Sequence, residues 1–290
     1  MKKILSIGEI IWDVYTDSGK KCLGGAPLNF AAHCVLRGAK SGLISAVGKD
    51  ELGERALQGL KEYGVRDFVQ EVDIPTGRCV VTLDENKVPN YHIERKVAYD
   101  EIQTEKYFDE IKKEQYVACA FGTLIQRTGA VRKQIEKLLA EISFHEIFCD
   151  INLRKDNYDK ASIEFCLSKA TVLKISREEE PTLRELGVYG AKETGAEEIC
   201  KAVCEKFPNI RFVLLTDGEH GAYAYNAQTK TLLFQESVPV EVASTVGAGD
   251  SFGAAWLCAY LQGETEKECL RQAVEWSAFV VSRYESIPKN

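Results

Sequence analysis

Short apolar runs alternate with longer amphipathic stretches along most of this chain. Ile4–Ile7 reads as a strand, Asn29–Leu36 as a helix and Ser41–Val47 as a second strand. Asp50–Tyr63 has acidic residues first, apolar Leu52, Ala56, Leu57 and Leu60 along one side and Gly64 at its end, the spacing and termini of a helix. The alternation continues with strands at Tyr116–Ala120, Glu146–Asp150, Thr171–Ile175 and Arg211–Thr216, and helices at Arg127–Ile142, Asp159–Ala170 and Ala196–Lys206. This succession predicts an α/β fold: a doubly wound, mostly parallel sheet with helices on both faces.

Residues 66–98 break the rhythm. Strands at Phe68–Val72, Cys79–Leu83 and Tyr91–Val97 follow one another without a helix, with turns at Pro75-Thr76-Gly77 and Asp84-Glu85-Asn86. The pattern predicts a small β-sheet, built from about residues 10–23 and 66–98, inserted into a single domain that spans 1–290. Such a sheet can act as a lid that closes on a substrate. An insertion without a role in a site has the same pattern.

Near the C-terminus, Val238, Val240 and Val242 alternate with Ser237, Pro239 and Glu241, which predicts a strand, and the apolar, Ala-rich run Ser251–Leu261 predicts a buried helix. Between them lies Ser244-Thr245-Val246-Gly247-Ala248-Gly249-Asp250. Free backbone N–H groups and the helix dipole make such a junction an anion site, which small residues leave open to a phosphate. Asp250 sets a carboxylate there, where it can accept a proton from a hydroxyl attacking phosphorus. Close packing of small residues at a helix start gives the same string, and that reading stays open. A dinucleotide fingerprint fits poorly, because it opens a βαβ unit and only 37 residues follow Gly253.

Composition narrows the partners. The 290 residues are 45% hydrophobic and 28% charged with a formal charge of −7, and no basic patch is interleaved with aromatics, which argues against nucleic acid. Gly8-Glu9 interrupts the apolar segment after Met1-Lys2-Lys3, so that segment reads as the first strand rather than a signal peptide. No uncharged run reaches the roughly 18 residues of a membrane span. Ten cysteines scattered through apparent strands and helices predict reduced thiols and a cytoplasmic chain. Cys200 and Cys204 share a helix face, but no further ligand completes a zinc site, and packing is the expected role.

Two stretches about 220 residues apart carry a family resemblance. Gly24-Gly25-Ala26-Pro27-Leu28-Asn29-Phe30-Ala31-Ala32 and Thr245-Val246-Gly247-Ala248-Gly249-Asp250-Ser251-Phe252 are similar to the two signatures of the PfkB, or ribokinase-like, carbohydrate kinases. Gly8-Glu9-Ile10-Ile11-Trp12-Asp13, Pro75-Thr76-Gly77, Asp150-Ile151-Asn152-Leu153-Arg154 and Thr216-Asp217-Gly218-Glu219-His220-Gly221 also match, so the resemblance covers essentially the whole chain. The opening segment and Val97-Ala98-Tyr99-Asp100 most resemble members called fructokinases.

The resemblance implies a ribokinase-like fold and an ATP-dependent, Mg²⁺-assisted sugar kinase that phosphorylates a primary hydroxyl. Fructose is the leading acceptor, 2-keto-3-deoxygluconate the main rival, then ribose and nucleosides. It also implies roles. Asp13, Gly24, Gly25 and Asn29 would hold sugar hydroxyls, with Asn152 and Arg154 facing the same cleft. Asp250 would be the base, the backbone at Gly247, Ala248 and Gly249 would stabilise the transferring phosphoryl group, and Thr216, Gly218 and Gly221 would border the nucleotide phosphates. Ser176 stands where the family carries Asn, and Glu179 would order Mg²⁺ through water. A surface ion pair is the other reading of Arg154. Lys87, Arg95 and Lys96 are cations available in the small sheet, with Glu94 among them. Related small sheets pair edge to edge, so a homodimer through this one is expected. A silent sugar-binding protein is the reading outside the kinase class, against which the intact Asp250 argues. Finally, Ser244 replaces an Asp that helps relatives hold a monovalent cation, and the C-terminal loop Val281–Pro288 is short, so activity independent of K⁺ is expected, with Arg283 a candidate substitute charge.

Overall fold

Strands that are apolar on both faces need cover on both sides, and a computed structural model, which describes residues 1–83, 89–190 and 195–288, gives them that cover. The chain begins β1 (Lys3–Ile7), β2 (Ile11–Tyr15), β3 (Lys21–Gly24), α1 (Ala26–Leu36), β4 (Lys40–Gly48), α2 (Glu51–Glu62), β5 (Arg66–Val72), β6 (Gly77–Leu83) and β7 (Pro89–Ile93). After a 3-10 turn at Ala98–Glu101 come α3 (Phe108–Glu114), β8 (Ala118–Gly122), α4 (Ala130–Glu141), β9 (Glu146–Asp150), α5 (Lys160–Lys169), β10 (Val172–Ser176), α6 (Glu180–Glu185) and α7 (Ala196–Lys206). It ends with β11 (Phe212–Thr216), β12 (Gly221–Asn226), β13 (Thr231–Glu236), α8 (Ala248–Gln262) and α9 (Glu266–Val281).

Nine strands form one sheet in the order β13-β12-β11-β10-β9-β8-β1-β4-β5, in which β12 runs antiparallel to both its neighbours and every other pairing is parallel. The chain runs from β1 outward through β4 to β5, then returns to β8 on the other side of β1. Strand order therefore reverses between β1 and β8, and a crevice opens beyond the carboxyl ends of those strands. One face of the sheet packs Leu5, Cys119 and Phe121 against Ile135, Ile163 and Val203; the other packs Ile4, Ala120 and Phe148 against Phe30 and Trp256. Phe30 and Phe148 meet at 5.0 Å between ring centroids, which seats α1 beside the end of β9.

The second sheet has the order β3-β2-β6-β7. It differs from expectation in one strand: the segment Phe68–Val72, assigned to the small sheet by its lack of a following helix, lies in β5 and pairs in parallel with β4 in the large sheet. The expected strand Tyr91–Val97 is β7, ending at Ile93. The turn Asp84-Glu85-Asn86 and Lys87 lie outside the described residues. Val238–Val242 is not a strand. Among the described residues no strand pairs with it: Ser237 N–H donates to the His220 carbonyl, Ala243 and Ser244 N–H both donate to Val281, and Val242 is left 60% exposed. All ten cysteines are free thiols, eight of them buried. Among the described residues no helix is long and apolar enough to cross a membrane.

Candidate active site

Helix α8 starts abruptly because Gly247 takes a left-handed φ of 83° and turns the chain into its first residue. An added Cβ there would stand 2.9 Å from Ser286 Cβ, so the C-terminal loop packs directly on this turn. Gly249 and Asp250 follow in the first helical turn, where N–H groups have no preceding carbonyl to meet and the dipole favours negative charge. Ser251 and Ser277 hydroxyls both donate to the Ala248 carbonyl, at 2.9 and 3.1 Å, and fix the turn.

The two signature stretches meet at one hydrogen bond: Asn29 Nδ2 donates to Asp250 Oδ2 at 2.8 Å. Asn29 is buried on α1, and its Oδ1 has no partner among the described residues, leaving an acceptor beside the carboxylate. Burial pushes the Asp250 carboxyl above its ordinary range, opposed by the Asn29 hydrogen bond and by the charges of Arg154 and Lys174. Asp13 projects from β2 between Cys22 and Cys79 on its neighbouring strands; it too is raised by burial and drawn back by Arg154. Arg154 is exposed, and its guanidinium has no hydrogen-bond or ion-pair partner among the described residues. It lies within electrostatic range of Glu9, Asp13 and Asp250 rather than in the alternative surface ion pair. Gly24 ends β3, and Gly25, with φ 114°, caps α1 so closely to the Glu9 carbonyl that a Cβ would approach its oxygen to 2.3 Å. Asn152 adopts φ 41° just past β9 and lines the cavity that also touches Glu9, Phe30, Thr123, Asp150 and Asp250.

Other expected residues have local duties as well. Glu179 accepts from Leu153 N–H at 2.6 Å and Ser176 N–H at 2.8 Å, while the Ser176 hydroxyl accepts from Glu179 N–H at 3.2 Å. Thr216 ends β11, and Gly218 opens a 3-10 turn with φ 53° and free space where a side chain would be. Gly221 opens β12 and pairs opposite Glu236, which gives it a place in the sheet. Arg283 stacks its guanidinium 4.3 Å from the Phe279 ring centroid.

Three groups stand in this site that the sequence reading quoted without assigning. Glu9, at the end of β1, accepts from Ala26 N–H at 3.1 Å and so caps α1; burial lifts its carboxyl to about 7, with Asp250 adding to the rise. Lys174 and Asp150, on adjacent strands, pair at 2.9 Å with both side chains buried. Burial lifts Asp150 to about 6 against the pull of Lys174. A lysine within the apolar strand Val172–Ser176 was the available signal, because a buried ammonium needs a carboxylate partner. His33, farther along α1, lies outside the cavity and also carries no expected role. Trp276 Nε1 donates to its Nδ1 at 3.2 Å, so its Nε2–H donates to the Ser286 carbonyl at 2.8 Å, and burial lowers it to about 4.

These donors suit a nucleotide phosphate and its cation. A Cβ on Gly249 would meet Lys174 Nζ at 3.0 Å, so an ammonium and a helix start border the same space. Asp150 and Glu179 carry hard oxygen donors nearby, and no group of three or more metal-binding side chains converges among the described residues. That set fits Mg²⁺, which keeps waters and shares phosphate oxygens rather than entering an all-protein cage.

Comparison with known proteins agrees with this geometry. The profile described as pfkB family carbohydrate kinase matches residues 1–290. ATP-dependent 6-phosphofructokinase of Thermoanaerobacterium thermosaccharolyticum is 26% identical over 95% of this chain and 87% of its own length. Fructoselysine 6-kinase of Escherichia coli K12 is 25% identical over 96% of this chain and 97% of its own. The crystal structure of a fructokinase with bound ATP from Xylella fastidiosa superposes with a TM-score of 0.86, covering 98% of this chain and 94% of that one at 19% identity.

Proposed function

Because the chain belongs to the PfkB family of carbohydrate kinases, we propose that it transfers the γ-phosphoryl group of ATP to a primary hydroxyl of a neutral ketose, with fructose the leading acceptor. The observation that carries this reading is the 2.8 Å hydrogen bond from Asn29 to Asp250 at the start of α8. It occupies one carboxylate oxygen and leaves the other to take the proton of an attacking hydroxyl. Asn29 Oδ1 and the Asp13 carboxylate are acceptors for the sugar's other hydroxyls, and Arg154 donates without competing for a proton. The α8 N–H groups and Lys174 stabilise negative charge as it builds on the transferring phosphoryl group. Asp150 and Glu179 would hold Mg²⁺ through water, and the ion would supply charge neutralisation to the nucleotide phosphates when bound. The small sheet, carrying Asp13, excludes water that would otherwise accept the phosphoryl group.

Charge supports a neutral acceptor. Among the described residues, Glu9, Asp13 and Asp250 are countered by Arg154, and Asp250 and Asp150 by Lys174, which Asp150 holds. In the small sheet and its return, Arg78 pairs with Glu94 at 2.9 Å and Arg95 donates to the Asp156 carbonyl. A phosphate or carboxylate on the acceptor would add to an excess of negative groups. Fructoselysine 6-kinase and the fructokinase are named for fructose or a fructose derivative, which supports a ketose framework, while 6-phosphofructokinase is named for a phosphorylated fructose, the anionic case that the assay separates. The test is a coupled ATP assay with fructose, tagatose, ribose, 2-keto-3-deoxygluconate, fructose 6-phosphate and nucleosides. Fructose should give the highest kcat/KM; preference for an anionic sugar would overturn the neutral-acceptor reading.

A further inference from the structure

Arg127 is almost fully buried, yet it does not touch the cleft. Its guanidinium meets four residues from two stretches of chain, Glu94, Tyr99 and Asp100 in one and Asn157 in the other. Nε and Nη2 donate to the two oxygens of Asp100, both at 2.9 Å, with side chains only 2% and 7% exposed. Nη2 also donates to the Glu94 carbonyl at 2.8 Å, just past β7, and Nη1 to Asn157 Oδ1 at 3.0 Å. The guanidinium carbon stands 4.8 Å from the centroid of Tyr99, whose ring is packed so tightly against Gly77 at the start of β6 that a Cβ there would come within 2.5 Å.

Each partner belongs to something that matters in the cleft. Glu94 is where the small sheet returns to the body of the protein. Asp100 also accepts from Val97 N–H at 3.2 Å, closing the turn that follows this return. Asn157 lies at the end of the loop that begins with Asn152 and Arg154: its N–H donates to the Arg154 carbonyl at 2.9 Å and its side chain to Lys155 at 2.8 Å. Arg95 adds a second tie between the same two segments through the Asp156 carbonyl. One planar fork therefore fixes the return of the sheet carrying Asp13 relative to the loop carrying Arg154. A lysine could not do this, since a single ammonium cannot span two carboxylate oxygens, a carbonyl and an amide at once.

We infer that Arg127 is a positioning residue for the acceptor site: it sets the separation of Asp13 from Arg154, and with it sugar affinity and the exclusion of water. The inference rests on reading the cleft as a sugar site. Arg127→Ala should raise the KM for fructose by about tenfold or more, in line with losing charged hydrogen bonds, while the KM for ATP stays within about twofold. ATP hydrolysis without sugar should rise as a share of total turnover. Arg127→Lys should fall between the two, and Asn157→Ala, which leaves the Asp100 pair intact, should raise the KM for fructose by about threefold in a folded protein. Amide hydrogen exchange at residues 94–101 should quicken in Arg127→Ala. A variant whose melting temperature falls but whose fructose KM and sugar-free hydrolysis are unchanged would overturn the inference and leave Arg127 as a brace. If Arg127→Ala does not fold, an unchanged fructose KM in both Arg127→Lys and Asn157→Ala would overturn it as well. If the parent phosphorylates no fructose, that reading has failed, and sugar-free hydrolysis with exchange at residues 94–101 decides the inference by itself.

Discussion

Asp250 must be charged to accept a proton, and it stands where burial favours its neutral form. The acid limb of kcat/KM should therefore lie above the usual carboxylate range near 4, as a property of the Asp250, Glu9 and Asp150 group rather than of one residue. Asp250→Asn should keep the fold and bind ATP while kcat falls by roughly 10²–10⁴; near-normal turnover in that variant would remove the assignment. Glu9 makes a different prediction, about stability. Its folded value of about 7 exceeds the ordinary 4.5, so the folded chain holds its proton more tightly. The stability it contributes is complete below about 4.5 and is lost as the pH rises through about 7. Glu9→Gln keeps an acceptor for Ala26 N–H without the charge. Thermal melts from about pH 5 to about pH 8 should show the slope flattened and the variant more stable at the upper end, by on the order of 1–3 kcal/mol. Parallel curves for the two proteins would refute this.

At the scale of elements, the C-terminal loop bears on cation dependence. Ser244 Oγ accepts from Val246 N–H at 3.2 Å, the Val281 carbonyl takes two N–H groups, and the Ser286 carbonyl takes His33. The Val281 and Ser286 carbonyls are engaged, and no carboxylate stands at position 244. Activity should not respond to K⁺ beyond a bulky cation matched at about 100 mM, where general screening is already strong; a severalfold K⁺-specific rise would show a surviving site. The same loop shows why some of the chain was legible and some was not. Runs such as Glu146–Asp150 and Ala196–Lys206 reported their own boundaries, because buried strands and amphipathic helices carry their environment in their spacing. Val238–Val242 has the alternation of a strand but no neighbour, and β5 has the look of a small-sheet strand but a neighbour in the large one. Periodicity describes what a strand presents to each face, and pairing depends on which chain lies beside it. For the site, Asp250, Asn29 and Asp13 were legible from their signatures. Lys174 and Asp150 were quoted only as parts of matching stretches, because their meaning arises when β9 and β10 lie side by side.

For the whole molecule, Lys174 and Asp150 lie on the large sheet and Asp13 on the small one, so the proposed phosphate and sugar groups belong to different sheets. Acceptor and nucleotide affinity should separate accordingly: Asp13→Ala should raise the KM for fructose by about tenfold or more and change the KM for ATP little. Equal losses for both would mean that Asp13 supports the fold. The bond between Asn29 and Asp250 joins residues 221 positions apart. During synthesis, β1 to β7 and α1 leave the ribosome long before α8 exists, and α1 carries Leu28, Phe30, Ala31 and Cys34, all of them buried in the finished protein. Until α8 arrives, the face of α1 that carries Phe30 and Cys34 lacks its cover, while Leu28 and Ala31 already have Leu43 and Val47 of β4 to pack with, and an uncovered apolar face attracts chaperones and aggregation. On the proposed assignment a chain that stops short of Gly247 would lack the base, so incomplete products would not consume ATP at this site.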